Sequence, residues 1–141
     1  METGPKSIGQ ALEDVSRRHS ERLALVCPEN GTSLTHAGLI REIDAVARGF
    51  LALGIRPGHK VALWAPNAPE WIAAFLGLIR MGAVTVPIDP GAGKENLNYI
   101  LGQSESIALV IPGGPGAEKF RQLADEARAE LPALKHVAAL P

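Results

Sequence analysis

Cys27 is the only cysteine in the chain, so an internal disulfide and a thiolate metal cluster are both excluded. It closes the apolar run Leu23-Ala24-Leu25-Val26-Cys27, where a buried, inert strand residue is expected rather than a nucleophile. Long hydrophobic runs are also missing. The longest, Trp71 to Ile79, has nine residues, against about 20 for a helix that spans a bilayer. Neither sign of charge dominates: 14 basic residues against 15 acidic ones leave a net charge of −1. The basic residues are scattered along the chain, which fits solvated helix faces and gives no footprint for nucleic acid. The opening Met1-Glu2-Thr3-Gly4-Pro5 lacks a basic region followed by an apolar one. No signal peptide is therefore expected, and a cytoplasmic location is.

What remains is a globular composition, 46% hydrophobic and 21% charged over 141 residues. A domain of this size buries roughly 68–70% of its unfolded surface. Helix-period and strand-like segments alternate. Residues 7–19 place Ile8, Ala11, Leu12 and Val15 on one helical face, with Ser7 and Gln10 spaced for a capping box. Residues 23–27 and 32–34 flank the turn Glu29-Asn30-Gly31 and read as a hairpin. A long helix is expected over 36–53, ended by Gly54 in a left-handed cap. Strands follow at 61–65, 83–88 and 107–111, separated by helices over 70–81 and 94–103, with a final helix carrying Phe120, Leu123, Ala124, Ala127 and Leu131. The helix over 70–81 is apolar on nearly all sides, which calls for burial against more than one sheet face. Another apolar run starts at His136. Three of the strands are continuous apolar runs, as in parallel strands covered on both faces. The expected class is α/β, a doubly wound, mostly parallel sheet with helices on both faces.

Ligands in such sheets gather outside the carboxyl ends of the strands. Three loops should share that edge: residues 66–69, 89–93 and 112–116. Specific motifs fail there. Gly93-Lys94 resembles the end of a phosphate-binding loop, but Ile88 occupies the first glycine position and Glu95 follows the lysine. No G-x-G-x-x-G follows a strand, and no serine sits at a G-x-S-x-G elbow. His19, His36, His59 and His136 have no metal-ligand neighbour at helical spacing. Asp89 is expected to organise the turn with Pro90. No catalytic and no metal-binding residue is assigned.

Four stretches, taken in order, resemble the opening motifs of the adenylate-forming superfamily. Ser33-Leu34-Thr35-His36-Ala37-Gly38-Leu39 is similar to its S/T-Y-x-E-L signature. The run from Gly54 to Ala62 resembles G-x-x-x-G-D-x-V, Pro66-Asn67-Ala68-Pro69-Glu70 resembles P-N-x-x-E, and the run from Gly82 to Pro90 resembles G-A-x-x-x-P-x-x-P. There are departures. Gly38 replaces the usual Glu, His59 stands where Asp is usual, and Gly91 stands where many acyl-CoA-forming members have Arg. Lys94 is the one residue to which a cofactor contact is carried, with a coenzyme A phosphate; the competing reading is a solvated lysine in the first turn of its helix.

The resemblance implies that residues 1–141 are the N-terminal α/β part of a larger catalytic core. That core would use ATP and Mg2+, and in coenzyme A-forming branches coenzyme A, to activate a small-molecule carboxylic acid as an acyl-adenylate. The family's Ser/Thr/Gly-rich phosphate loop, magnesium-holding Glu, ribose-binding Asp and mobile lysine are expected beyond Pro141. The fragment alone is accordingly expected to be inactive, without a cofactor of its own, and partnered by the remainder of its own polypeptide. Other branches, namely fatty-acyl-AMP ligases, β-lactone synthetases and peptide-synthetase adenylation domains, stay open. So does a stand-alone small α/β module that binds a nucleotide or acyl ligand at the three loops, and an inert partner subunit.

Overall fold

The computed structural model describes Gly4 and residues 6–141. Most of the opening segment read above for a signal sequence, residues 1–3 and 5, lies outside the described residues. Helix α1 (Ile8–Arg18) starts on the expected capping box. Ser7 Oγ accepts from the Gln10 backbone N–H at 3.2 Å, and Gln10 Oε1 accepts from the Ser7 N–H at 2.8 Å, which satisfies two donors the helix leaves free. Strands β1 (Leu23–Cys27) and β2 (Thr32–Thr35) form an antiparallel hairpin that is a separate two-stranded sheet.

Helix α2 (His36–Ala52) is capped by Thr35, whose Oγ1 accepts from the Gly38 N–H at 3.1 Å. Gly38 has no side chain to return the bond. Gly54 ends the segment with φ +93°, a conformation that costs an L side chain about 1 kcal/mol or more.

The remainder is the expected doubly wound unit: β3 (Lys60–Trp64), α3 (Pro69–Arg80), β4 (Val84–Ile88), α4 (Lys94–Ser104), β5 (Ala108–Ile111), α5 (Glu118–Glu130) and β6 (His136–Ala139). The four strands are parallel in the order β4-β3-β5-β6. The apolar run at His136 thus becomes an edge strand of this sheet. Period-two geometry explains why the central strands read as unbroken apolar runs. Val61, Leu63, Ala108 and Val110 point to one face and pack with Phe50, Ala74 and Leu78 of α2 and α3. Ala62, Trp64, Leu109 and Ile111 point to the other and pack with Leu97, Leu101, Ala124 and Ala127 of α4 and α5. Both faces are core, so no polar alternation survives in the sequence.

Helix α3 is buried less completely than its composition led one to expect. Its Ala73, Ala74, Gly77 and Leu78 are covered by α2 and the sheet, whereas Trp71 and Phe75 are half-buried and Ile72 is 36% exposed. The two aromatic rings stack on each other, with centroids 5.2 Å apart. Arg80, at the end of α3, ties three helices together. Its Nε donates to Asp44 of α2 at 2.5 Å and its Nη2 donates to Glu13 of α1 at 2.8 Å. Burial works against the charged guanidinium, but the bonds to Asp44 and Glu13 prevail and hold its pKa above the usual arginine value.

Candidate functional site

Parallel register brings the ends of β3, β4 and β5 to one edge, and the loops 66–69, 89–93 and 112–116 follow from it as expected. Strand order locates a more specific point on that edge. From β3 the chain moves outward to β4, then crosses back over β3 to β5 on the other side. The connections therefore diverge between β3 and β5, where open α/β sheets form their ligand crevice. The indole of Trp64, the last residue of β3, donates to the Asp89 carbonyl at 3.0 Å and packs on Phe120, centroids 4.5 Å apart. This fixes the end of β3 to the loop after β4.

Asp89 does what its place beside Pro90 predicts. Its Oδ1 accepts from the Gly91 N–H at 2.7 Å, and its carbonyl accepts from the Ala92 N–H at 2.9 Å. The helices that start from this edge, α3, α4 and α5, begin at Ala68, Gly93 and Ala117 with no side-chain cap bond. Helices α1 and α2, which start elsewhere, are capped by Ser7 and Thr35. Three helix starts at the edge therefore take no side-chain cap, and α3 opens on Pro69, which has no N–H to cap.

Lys94 sits in the first turn of α4, where its ammonium bridges to α5, 3.0 Å from Glu126 Oε2 and 2.9 Å from Glu130 Oε1. The hydrogen bonds it donates to Glu130 and Glu126 raise its pKa above the ordinary lysine value, and the one Glu126 accepts from it lowers that of Glu126. Asn98 adds a bond to Glu130 at 2.8 Å. Neither of these acidic partners was visible as such in the sequence, because they lie 32 and 36 positions away. His59 Nδ1 accepts from the Arg56 N–H at 3.0 Å and serves its turn.

Cys27 is not buried as expected. The hairpin stands apart from the parallel sheet, so the thiol is half-exposed, and it donates to Glu29 Oε2 at 3.3 Å. A backbone hydrogen bond, helped by that thiol, holds the Glu29 carboxyl below the usual range. Both residues rim an open groove of about 730 Å³ between β1 and the start of α3, lined also by Leu25, Val26, Asn67 and Ile72.

The sequence model of the family described as AMP-binding enzyme matches residues 12–140. The chain belongs to the AMP-binding enzyme family. Among its relatives, "Triostin synthetase I" of Streptomyces triostinicus is 35% identical over 132 residues, 94% of this chain and 24% of that protein. "Crotonobetaine/carnitine--CoA ligase" of Salmonella arizonae is 33% identical over 131 residues, 91% of this chain and 25% of that protein. Among solved structures, the inhibitor-bound N-terminal domain of FACL13 from Mycobacterium tuberculosis superposes with a TM-score of 0.86 at 26% identity, covering 96% of this chain and 33% of that one. The chain thus spans about a quarter of the length of these curated relatives.

For an AMP-binding enzyme the question is whether this portion has groups that fit MgATP. Among the described residues no three Asp, Glu, His or Cys side chains gather to hold a metal ion, and Asp89, at the sheet edge, already spends one carboxylate oxygen on its own turn. No helix among the described residues is long and apolar enough to cross a membrane.

Proposed function

We propose that residues 1–141 are the N-terminal α/β part of the catalytic core of a longer ATP-dependent acid–thiol ligase. The whole protein would convert a carboxylic acid to an acyl-adenylate with release of pyrophosphate, then pass the acyl group to a thiol. The observation that carries this reading is the family match over residues 12–140 in a chain spanning only about a quarter of its relatives. The role of this portion is a scaffold: it presents the β3–β5 crevice and three uncapped helix starts to one side. Catalysis at a phosphoryl centre also needs cations and metal-holding groups, which the rest of the polypeptide would provide. Coenzyme A as the acceptor is favoured by relatives named CoA ligases. The other branches of the superfamily named above, with a different acceptor, form the second reading. A cytoplasmic location belongs to the same proposal.

Lys94 would reach a coenzyme A phosphate with the one N–H that its bridges to Glu126 and Glu130 leave, in competition with those two carboxylates. Acid-dependent ATP–pyrophosphate exchange by the longer protein, and none by the 141-residue chain, is the expected result. Exchange by the short chain alone would overturn the proposal. Calorimetry of the short chain with ATP and with acyl-CoA separates it from a stand-alone binding module, which would take up one of them.

A further inference from the structure

We propose that helix α1 is a strap, an opening unit of its own that Arg80 clamps onto the α2–α3 pair and that salt releases, with its hinge at residues 19–20. The proposal stands independently of the ligase reading.

Burial does little to hold α1 down. The helix has no buried residue, and its apolar stripe is turned aside from the body, with Ile8 54% and Val15 39% exposed. Segments with few buried apolar contacts open at low cost. What attaches the helix is polar and converges on one side chain. Arg80 donates from Nη2 to Glu13 Oε1 at 2.8 Å and from Nη1 to the Gly9 carbonyl at 3.4 Å. Among the described residues, the one other hydrogen bond from α1 to the body runs from Ser16 Oγ to the His36 carbonyl, and it is long at 3.4 Å. Glu13 is 49% exposed and Arg80 21%, so mobile ions reach the pair and screen it. When α1 leaves, Arg80 keeps its bond to Asp44 of α2, and the α2–α3 crossing stays tied.

The chain is pinned immediately after the helix. The Ser20 carbonyl accepts from the Ala37 N–H at 3.0 Å and the Arg22 carbonyl from the His36 N–H at 2.9 Å. Release therefore stops at Ser20, and the β1–β2 hairpin stays in place. Once detached, the 11 residues of α1 fall below the roughly 12–15 at which an isolated helix becomes marginal in water. Opening is then melting, even with the capping box and the bonds of Asp14 to Lys6 and Arg17.

Amide hydrogen exchange on the full chain at about 0.05 M and about 0.5 M salt tests this. The amides of residues 12–18 should exchange together and faster than those of 60–64 and 108–111. Raising the salt should speed the first set about two- to fivefold, the range for a partly exposed ion pair, and leave the strands unchanged. Glu13→Gln should give the same rise at low salt and abolish the salt response. Asp14→Asn, which loses the bonds to Lys6 and Arg17 but spares Arg80, should retain that response. Amides of α1 that exchange only as slowly as the strands overturn the proposal, as does exchange indifferent to both salt and Glu13→Gln. A salt response lost in Asp14→Asn but kept in Glu13→Gln also overturns it, since the sensitive charges would then lie within the helix.

Discussion

Replacing Gly77 tests the packing that holds α3, and with it the Pro66–Pro69 loop, in place. A Cβ built at Gly77 would lie 3.2 Å from the Ile43 carbonyl oxygen and 3.4 Å from both the Ala47 nitrogen and Val46 Cγ1. The backbones of α2 and α3 approach each other there because no side chain intervenes. Gly49, within α2, is exposed with nothing within 4 Å of its Cβ position, so it reports helix propensity alone. Gly49→Ala should stabilise by about 0.5–1 kcal/mol. Gly77→Ala gains the same propensity but must displace a carbonyl by a few tenths of an ångström, and the net should fall within about 0.5 kcal/mol of zero or below. Gly77→Leu has no such escape, and overpacking should cost about 2–3 kcal/mol. For a chain of this size that is a fall in Tm of roughly 6–12 °C. Thermal unfolding followed by far-UV circular dichroism reads all three. Equal gains from the two alanines, or a Gly77→Leu chain melting with the parent, would refute the close helix crossing.

Trp64→Phe removes the indole bond to the Asp89 carbonyl and should cost about 1–2 kcal/mol in urea unfolding; no change would mean the bond does not hold the loop. Gly113→Ala puts its Cβ on the Leu140 carbonyl oxygen, so the Leu140 amide, which donates to the Ile111 carbonyl at 2.8 Å, should exchange faster, and unchanged exchange counts against the contact. The Lys94 bridge predicts pH dependence of known sign. Glu126 titrates below its reference 4.5 when folded, so its contribution is complete above that value and is lost as pH falls through the lower folded pKa. Lys94 titrates above its reference 10.5, so its contribution is complete below 10.5 and is lost as pH rises through the higher folded pKa. Lys94→Met should flatten the stability profile at both ends. A profile unchanged by the substitution would show that the bridge does not form in solution.

Local signals carried most of the fold. Ser7 with Gln10, and Gly54, each mark a chain event through bonds within a few residues, so those element boundaries could be read to within a residue or two. The carboxyl edge and its three loops were legible too, because a parallel sheet leaves little choice about where they lie. Tertiary placement was not. Nothing in Leu23–Cys27 says that its hairpin stands off the parallel sheet, which is why Cys27 looked buried and the groove beside it went unseen. For Lys94 the sequence offered a coenzyme A contact and, against it, a solvated helix-start lysine; the ion-pair bridge was not legible because Glu126 and Glu130 arrive from α5, a helix across one face of the sheet. The apolar composition of α3 overstated its burial, since Trp71 and Phe75 are only half-buried against the core and Ile72 is exposed.

Hydroxylamine trapping of the acyl-adenylate is the most direct measurement of the central claim. With ATP, Mg2+ and a panel of aliphatic and aromatic acids, the longer protein should yield a hydroxamate from at least one acid, and the 141-residue chain from none. Hydroxamate formed by the short chain, or none formed by a folded longer protein with any acid, would contradict the account.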